Sequence, residues 1–544
     1  MELKKQILKI CMQKGFLLDK EILESLSLLD ERYSLQIIDV LTNLKIKERV
    51  ITKSIFLANL ANIKKVVINK ESGAFFEKFF SSIGCPLDET VLEVSLSSKK
   101  IELPGTDLHS FKILSSSLIF PKKIEVRDFV DHFRSRYEQL RNVLQERNLE
   151  NLKSIRRLGE GNDKESQYII VSILSKRQTK NKNLVFDVED LTGRARVLVN
   201  ENKKELYEKC KDILVDEVVA FSVSGTKEML FTNEVTFPDS VLSEKRKHSE
   251  EVLVAFSSDV HVGSKMFLEE NFLKFIKWLN GEEGDEVQRE IAKKVKYLFL
   301  VGDNVDGVGV FPEQDKLLKI PEITAQYKKL AEFLKLIRSD IRIIISPGQH
   351  DAVWVGEPQP AIGDEWASDI CKMSNVSLVT NPCLVEIDGG FKVLMYHGAS
   401  MHGIIEEMPD LRLNYGHKSP TRVVKELLKR RHLAPMHGSC DYVPNNKKDP
   451  MVIDTVPDIM VTGDLHRQEI STYNNILLIS SSCWQSITPF EEKVGNVPDP
   501  GKVPIFNLKT REIKILDFIT PVETTSELKK GEVTSKEVPL ELTK

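Results

Sequence analysis

LFLVGDNVDGVG, residues 298–309, is the stretch on which the fold turns. A run of apolar residues without alternation reads as a strand buried on both faces, as in the parallel sheet of an α/β protein. Gly302 permits a sharp turn at its end. Asp303 then stands at the strand's carboxyl edge, where its two oxygens can bridge two cations, and Asp306 follows one short loop later.

Four other apolar runs end in the same way. SSDVHVGS (257–264) follows VLVAF and carries Asp259 and His261, which on an extended segment would point the same way and grip one ion. IIISPGQHDA (343–352) delivers Gln349, His350 and Asp351; VLMYHGAS (393–400) delivers His397; MVTGDLHR (460–467) delivers Asp464 and His466. Eight of the eleven histidines fall between His261 and His466, and imidazole with carboxylate is a ligand set for divalent ions. In a layered α/β fold the strand ends converge on one edge, so motifs distant in sequence can share a site. Singly, each fragment reads as well as a satisfied surface or core group. Five in series, each just past a strand, predict a binuclear metal site.

The rest of the chain sets this region among other domains. A length of 544 residues exceeds one core and predicts several domains. Hydrophobic residues are 41% and charged residues 29%, ordinary for a globular protein, and no apolar run approaches a membrane span. Without a secretory start, a cytoplasmic location is expected and no membrane partner. The seven cysteines form no C-x-x-C pair and read as reduced thiols. Residues 1–70 read as a helical domain and 71–122 as a variable linker. Residues 123–242 begin with a helix whose stripe is Val126, Phe129, Val130, Phe133, Tyr137, Leu140 and Leu144. Short strands then surround the turn at Thr192 and Gly193 and suggest a small barrel. FDVEDLTGRARVLV within it resembles an OB-fold hairpin. Its cations Lys176, Arg177, Lys180, Lys182, Arg194 and Arg196 could line a groove for single strands, although aromatics are few. Residues 250–520 form the α/β domain, and the tail 521–544, rich in Lys, Glu, Ser and Thr, is expected to be disordered.

The motif order resembles that of the calcineurin-like metallophosphoesterases: D-x-H, G-D-x-x-D, G-N-H-D, a lone His, then G-H-x-H. Further stretches, among them PGQHDAVW, LLKRRHLAPMHG, DTVPDIMVTGDLH and SSCWQSITPFEEKVGNVPDPGKVP, make the chain similar to the small subunits of archaeal family D DNA polymerases over about 126–518. The resemblance implies a multi-domain α/β architecture: a helical start, an OB-fold barrel and a layered phosphoesterase domain. It implies that Asp259, His261 and His466 hold one metal, that Asp303 bridges, and that Gln349, His397 and Asp464 hold the second. Mn²⁺ is the expected ion, with Mg²⁺ as the other candidate. His350 would protonate the leaving oxygen, oriented by Asp306. The implied activity is a metal-dependent 3′→5′ exodeoxyribonuclease acting at a primer 3′ end. Its implied partners are the large catalytic polymerase subunit, DNA and a sliding clamp.

Two positions depart from the pattern. Gln349 stands where the family has Asn, and Asp464 where it has His. Both serve the same metal, so the alternative is a non-catalytic accessory subunit whose second metal is lost. A phosphatase of small nucleotides also fits the ligands, but leaves the barrel unexplained. A net charge of −4 is low for a protein that grips DNA alone, so a partner would supply most of the hold. Lys429, Arg430 and Arg431 read either as a helix's solvated face or as a local DNA contact.

Overall fold

Alternation along each strand decides how the layers stack. The computed structural model describes scattered residues from 7 to 51, then 109–116, 123–158, 165–519 except 227 and 446, and Thr534–Glu537. The chain divides into two units, Met1–Gly105 and Thr106–Lys544. In the first, Ile7, Cys11, Ile22, Leu26, Ile37 and Ile38 are helical and buried, and β1 (Leu17–Leu18) pairs in parallel with β2 (Val50–Ile51). Most of the residues read as linker lie outside the described ones. Within that stretch, however, Phe111–Ser116 form a strand, β3.

In the second unit, β4 (Gln167–Gln178), β5 (Leu184–Asp190), β6 (Gly193–Val199), β7 (Val218–Thr226) and β8 (Met229–Thr236) close a barrel in the order β4-β5-β6-β8-β7. Its interior is filled by Ile169, Val171, Phe186, Val188, Val197, Phe221 and their neighbours. The remaining strands are β9 (Leu253–Ser257), β10 (Val295–Val301), β11 (Arg342–Ser346), β12 (Val376–Leu378), β13 (Cys383–Ile387), β14 (Phe391–Met395), β15 (Ile459–Thr462), β16 (Glu469–Tyr473), β17 (Ile476–Ser480), β18 (Lys502–Asn507), β19 (Ile513–Asp517) and β20 (Thr534–Glu537). They build two sheets, β12-β11-β10-β9-β18-β19-β20 and β16-β17-β15-β14-β13-β3. Apart from β20, which pairs antiparallel with β19, the tail lies outside the described residues.

Side-chain period two explains why these sheets are sandwiched. Val254, Phe256, Tyr297, Phe299 and Ile344 face Val393, Met395, Val461 and Ile479 of the other sheet in one core. Their neighbours Ala255, Leu298, Leu300 and Ile343 face the opposite way, against helix residues such as Phe275, Tyr327 and Leu330. On the far side Leu394, Met460 and Leu478 meet Ile404, Val424 and Leu427. The result is a helix–sheet–sheet–helix stack, with every central strand buried on both faces. Each fully buried Val, Leu, Ile or Phe contributes about 1.5–3 kcal/mol against solvent exposure. Among the described residues no helix is long and apolar enough to cross a membrane.

The helix Val126–Gln145 joins barrel to stack. Tyr137, Leu140 and Leu144 pack on Ile170, Val218 and Ala220, and the Tyr137 hydroxyl donates to the Ile170 carbonyl at 2.9 Å. Arg136 Nε ion-pairs with the fully buried Asp449 at 2.7 Å. Val126 and Val130, at the start of the expected stripe, are instead exposed.

In the cationic run 429–431, the two arginines are neither a solvated face nor a free DNA contact, and Lys429 is partly covered. Arg430 is buried between Glu217 of the barrel, at 3.2 Å, and Glu426 of its own helix, and donates to the Asp212 carbonyl at 2.6 Å. Arg431 is buried and donates to the carbonyls of Ile453 and Asp454. Lys429 Nζ lies 4.2 Å from the Phe237 ring centroid. Burial of their apolar neighbours drew these cations inward, where carboxylates and carbonyls replace water. Arg430→Ala strands Glu217 without its charge partner and should lower the unfolding free energy by about 3–5 kcal/mol in urea denaturation. Lys429→Ala should cost about 1 kcal/mol or less. Equal small effects would refute the buried-pair reading.

Candidate metal centre

Parallel pairing brings the chemical residues to one edge. β9, β10 and β11 run parallel in one sheet, and β14 and β15 in the other. Asp259, Asp303, Gln349, His397 and Asp464 each follow one of these strands within three residues. The ladder continues past the strand ends: Asp259 N–H donates to the Gly302 carbonyl, His261 N–H to Asp303, and Gly463 N–H to His397. The Asp464 N–H also reaches both Asp259 carboxylate oxygens at 3.2 Å, tying the two sheets together.

The expected extended pair at 259 and 261 is not extended. Asp259 (φ 50°), His261 (53°), Asp303 (49°), Asp464 (67°) and His466 (54°) all adopt the left-handed region. Such a conformation costs a non-glycine residue on the order of 1–3 kcal/mol and concentrates at functional sites. Asp and His tolerate it better than most residues, which matches the residue types found here. Between them Val260 and Val262 bury into the core, so two left-handed turns aim the polar side chains at the site. Gly302 is required by contact as well as by its φ of 82°, since a Cβ there would lie 2.1 Å from His397 Nδ1.

Three groups of ligand atoms converge: Asp259, His261 and His466; Asp259, Asp303 and His397; and His261, Asp306 and His350. Asp303 stands between the halves, its Oδ2 3.9 Å from His261 Nε2 and 3.2 Å from His397 Nε2. Gln349 Nε2 donates to Asp464 Oδ1 at 3.2 Å, and that oxygen lies 3.9 Å from His397 Nε2. All nine residues singled out from the sequence are therefore in one place.

Each site histidine has its Nδ1 tied to an oxygen. His261 Nδ1 lies 3.1 Å from Asp306 Oδ1, His466 Nδ1 2.9 Å from Glu491 Oε1, His397 Nδ1 2.8 Å from the Val301 carbonyl, and His350 Nδ1 2.7 Å from the Asp306 carbonyl. At His261, His397 and His466 donation from Nδ1 leaves Nε2 turned to the centre, the arrangement found around metal-bound imidazole. His261 Nε2 and His466 Nε2 face each other at 3.2 Å. His397 Nε2 and Gln349 Oε1 are buried without a hydrogen bond. Converging lone pairs and orphaned buried acceptors are what a cation would satisfy, so the donor set fits a divalent metal. Asp306 differs from expectation in one respect: its carboxylate holds His261, and only its main-chain carbonyl holds His350.

Charge within the site is strongly coupled. Burial opposes ionisation of Asp303, but the adjacent His397 and His350 outweigh it and hold the carboxyl far below the usual range. Burial likewise opposes protonation of His397, yet Asp303 wins and drives the imidazole well upward. Burial also opposes ionisation of Asp464, and His402 keeps it low.

Sequence reading missed the residues behind the ligands. Glu491 closes a capping box with Thr488 and also holds His466; the T-x-x-E spacing was its one legible signal. Asp351 is fully buried and accepts from Gly348 N–H, Asn304 N–H and the Tyr327 hydroxyl, fixing the turn that carries Gln349 and His350. Its position after Gln-His gave no hint of that role.

Comparison with known proteins places residues 254–471 under the family model for the B-type subunit of DNA polymerases alpha and epsilon. The DNA polymerase II small subunit of Methanothermobacter thermautotrophicus is 38% identical over 397 residues, covering 72% of this chain and 80% of that one. Its counterpart from Pyrococcus furiosus is 37% identical over 401 residues, covering 73% of this chain and 64% of that one. Among solved structures, one titled as a novel archaeal phosphodiesterase is 15% identical, with a TM-score of 0.24 over 48% of this chain and 98% of its own.

Ions that bind the folded chain alone should stabilise it. At Mn²⁺ a hundredfold above the dissociation constant, the gain should be about 2.7 kcal/mol, read as a rise in melting temperature. Asp303→Asn should remove most of that rise, and an unchanged rise would show that the ion binds elsewhere.

Proposed function

We propose, on the premise that this chain belongs to the archaeal DNA polymerase II (family D) small subunits, that it is a metal-dependent 3′→5′ exodeoxyribonuclease that removes mispaired primer ends. Membership of that family carries with it a large catalytic subunit as partner. The exonuclease reading is supported above all by His261, His397 and His466, whose Nδ1 atoms are tied back and whose Nε2 atoms face the centre. An accessory subunit without catalysis has no use for that arrangement.

In this reading Asp259, His261 and His466 hold the first ion, Asp303 bridges, and Gln349, His397 and Asp464 hold the second. When bound, two divalent ions supply electrophilic clamping of the phosphate and a water acidic enough to attack at neutral pH. The carboxylate and amide oxygens of the second position favour harder ions, Mn²⁺ or Mg²⁺. The His350 ring is pinned through Nδ1 by the Asp306 carbonyl at 2.7 Å, which leaves Nε2 to carry a proton. Protonated there, it gives its proton to the departing 3′-oxygen of the shortened strand as the terminal nucleoside 5′-monophosphate leaves.

The barrel's strand order, with the helix Lys204–Lys211 between its third and fourth strands, supports an OB-fold. Its cations make a poor strand-binding groove. Arg177 and Arg196 pair with Asp187, and Arg194 with Glu189. Lys176 donates to the Ile213 carbonyl at 3.1 Å. With the net charge of −4, this pairing favours a division of labour in which the large subunit holds the duplex and this chain cuts the end. Contact with a sliding clamp is part of the same proposal.

A 3′-mismatched primer–template with Mn²⁺, offered to the chain alone and with its large subunit, should release mononucleotides. His350→Ala should slow release about 10²- to 10⁴-fold while leaving metal uptake intact. Asp303→Ala should abolish both, and nuclease activity surviving it would refute the assignment. Glu491→Gln, which loosens His466, should weaken first-metal affinity about 10- to 100-fold in a Mn²⁺ titration.

A further inference from the structure

Asp464 is held from two sides. Its Oδ1 faces the site, toward Gln349 Nε2 and His397 Nε2. Its Oδ2 turns away and lies 3.1 Å from His402 Nε2, an ionic contact made from the helix Ser400–Glu407. Behind it, His402 Nδ1 lies 3.0 Å from His417 Nε2, with ring centroids 4.9 Å apart. His417 sits on the short turn Gly416–Lys418, so a second segment backs the imidazole that meets this oxygen. The His402 side chain is half exposed, and none of the converging ligand groups includes it. Its position therefore bears on Asp464 rather than on an ion.

We propose that His402, backed by His417, is a positioning residue that fixes the Asp464 carboxylate so that Oδ1 meets the second metal. The inference rests on the binuclear reading above. Asp464 shares the centre with Asp303, whose like charge opposes its carboxylate. The His402 N–H supplies the opposing attraction and, by claiming Oδ2, prevents the side chain from rotating outward. Elsewhere in the site an oxygen anchors an imidazole ligand; here an imidazole anchors an oxygen ligand. The imidazole–carboxylate pair is the same with its roles inverted, here as an ion pair at 3.1 Å, and partners of this kind are worth about 10- to 100-fold in metal affinity.

The test is a Mn²⁺ titration of the full chain, followed by calorimetry and by the electron-spin signal that separates one bound ion from a coupled pair. Wild type should take up two ions. His402→Ala should weaken the second about 10- to 100-fold, leave the first unchanged, and convert the coupled signal to that of a single ion. His402→Gln, which keeps an N–H near the same place, should recover most of the loss, and His417→Ala should act in the same direction with smaller effect. In an Asp464→His background no Oδ2 remains to be held, so His402→Ala should then change nothing. The proposal is overturned if His402→Ala leaves both affinities unchanged, or if the loss is equally large in the Asp464→His background. Wild type that binds only one ion at saturation would overturn the binuclear reading itself.

Discussion

The hydrogen bond from each site imidazole to a fixed oxygen decides what the strand ends of this protein can do. An unanchored histidine can present either nitrogen and rotate about two bonds. Here Asp306, Glu491 and two main-chain carbonyls remove that freedom at His261, His466, His350 and His397. One anchor is the carbonyl of Val301, the last residue of β10, and another is the Asp306 carbonyl in the loop after it, so the sheet itself orients the His397 ring. The consequence is a centre in which ring nitrogens and carboxylate oxygens crowd together before any ligand arrives. Such crowding is unfavourable in the free chain and becomes favourable only around a cation, which makes metal binding a contribution to folding as well as to chemistry.

The same economy of buried charge runs through the joints between layers. Arg136 with Asp449, and Arg430 with Glu217 and Glu426, lie where the connecting helix, the barrel and the stack meet. Burying ions gives little net stability compared with a well-packed apolar contact. Removing one partner is costly, however, so these pairs penalise any other docking of the barrel more strongly than they favour the observed one. Hydrophobic surface alone, being non-directional, could not fix that orientation.

Much of this was legible in the sequence, for identifiable reasons. The five apolar runs read as strands became β9, β10, β11, β14 and β15, because strands covered on both faces lack polar positions. The nine site residues were found because each follows such a run. Strands at sheet margins were harder: β16 is only partly buried along its length, and β3 lies in a stretch without apolar period. Lys429, Arg430 and Arg431 were misjudged because charge in sequence suggests solvent, whereas their partners Glu217, Ile453 and Phe237 are distant in the chain. Asp259 and His261 converge through left-handed backbone, not strand periodicity. That conformation depends on the Gly302 and Asp303 carbonyls of the neighbouring loop, which the local sequence does not disclose.

The two halves of the centre are built to different tolerances, and the difference follows from the donor atoms. In the first half His261 and His466 face each other from rings anchored by carboxylates, and Asp259 accepts main-chain hydrogen bonds that fix its oxygens. Little there can adjust, which suits an ion that stays in place. In the second half only His397 is locked. Gln349 adds a flexible amide whose Oε1 has no partner, and Asp464 is steadied by a half-exposed imidazole. Softer placement lowers affinity, but under the proposed nuclease function it leaves room to accept phosphate oxygens and release product. On this view Gln349 and Asp464 are better understood as setting how tightly the second ion is held than as the first losses of a decaying site. The proposed two-metal reading accounts for oxygen donors at both positions and for a histidine pair aligned behind one of them.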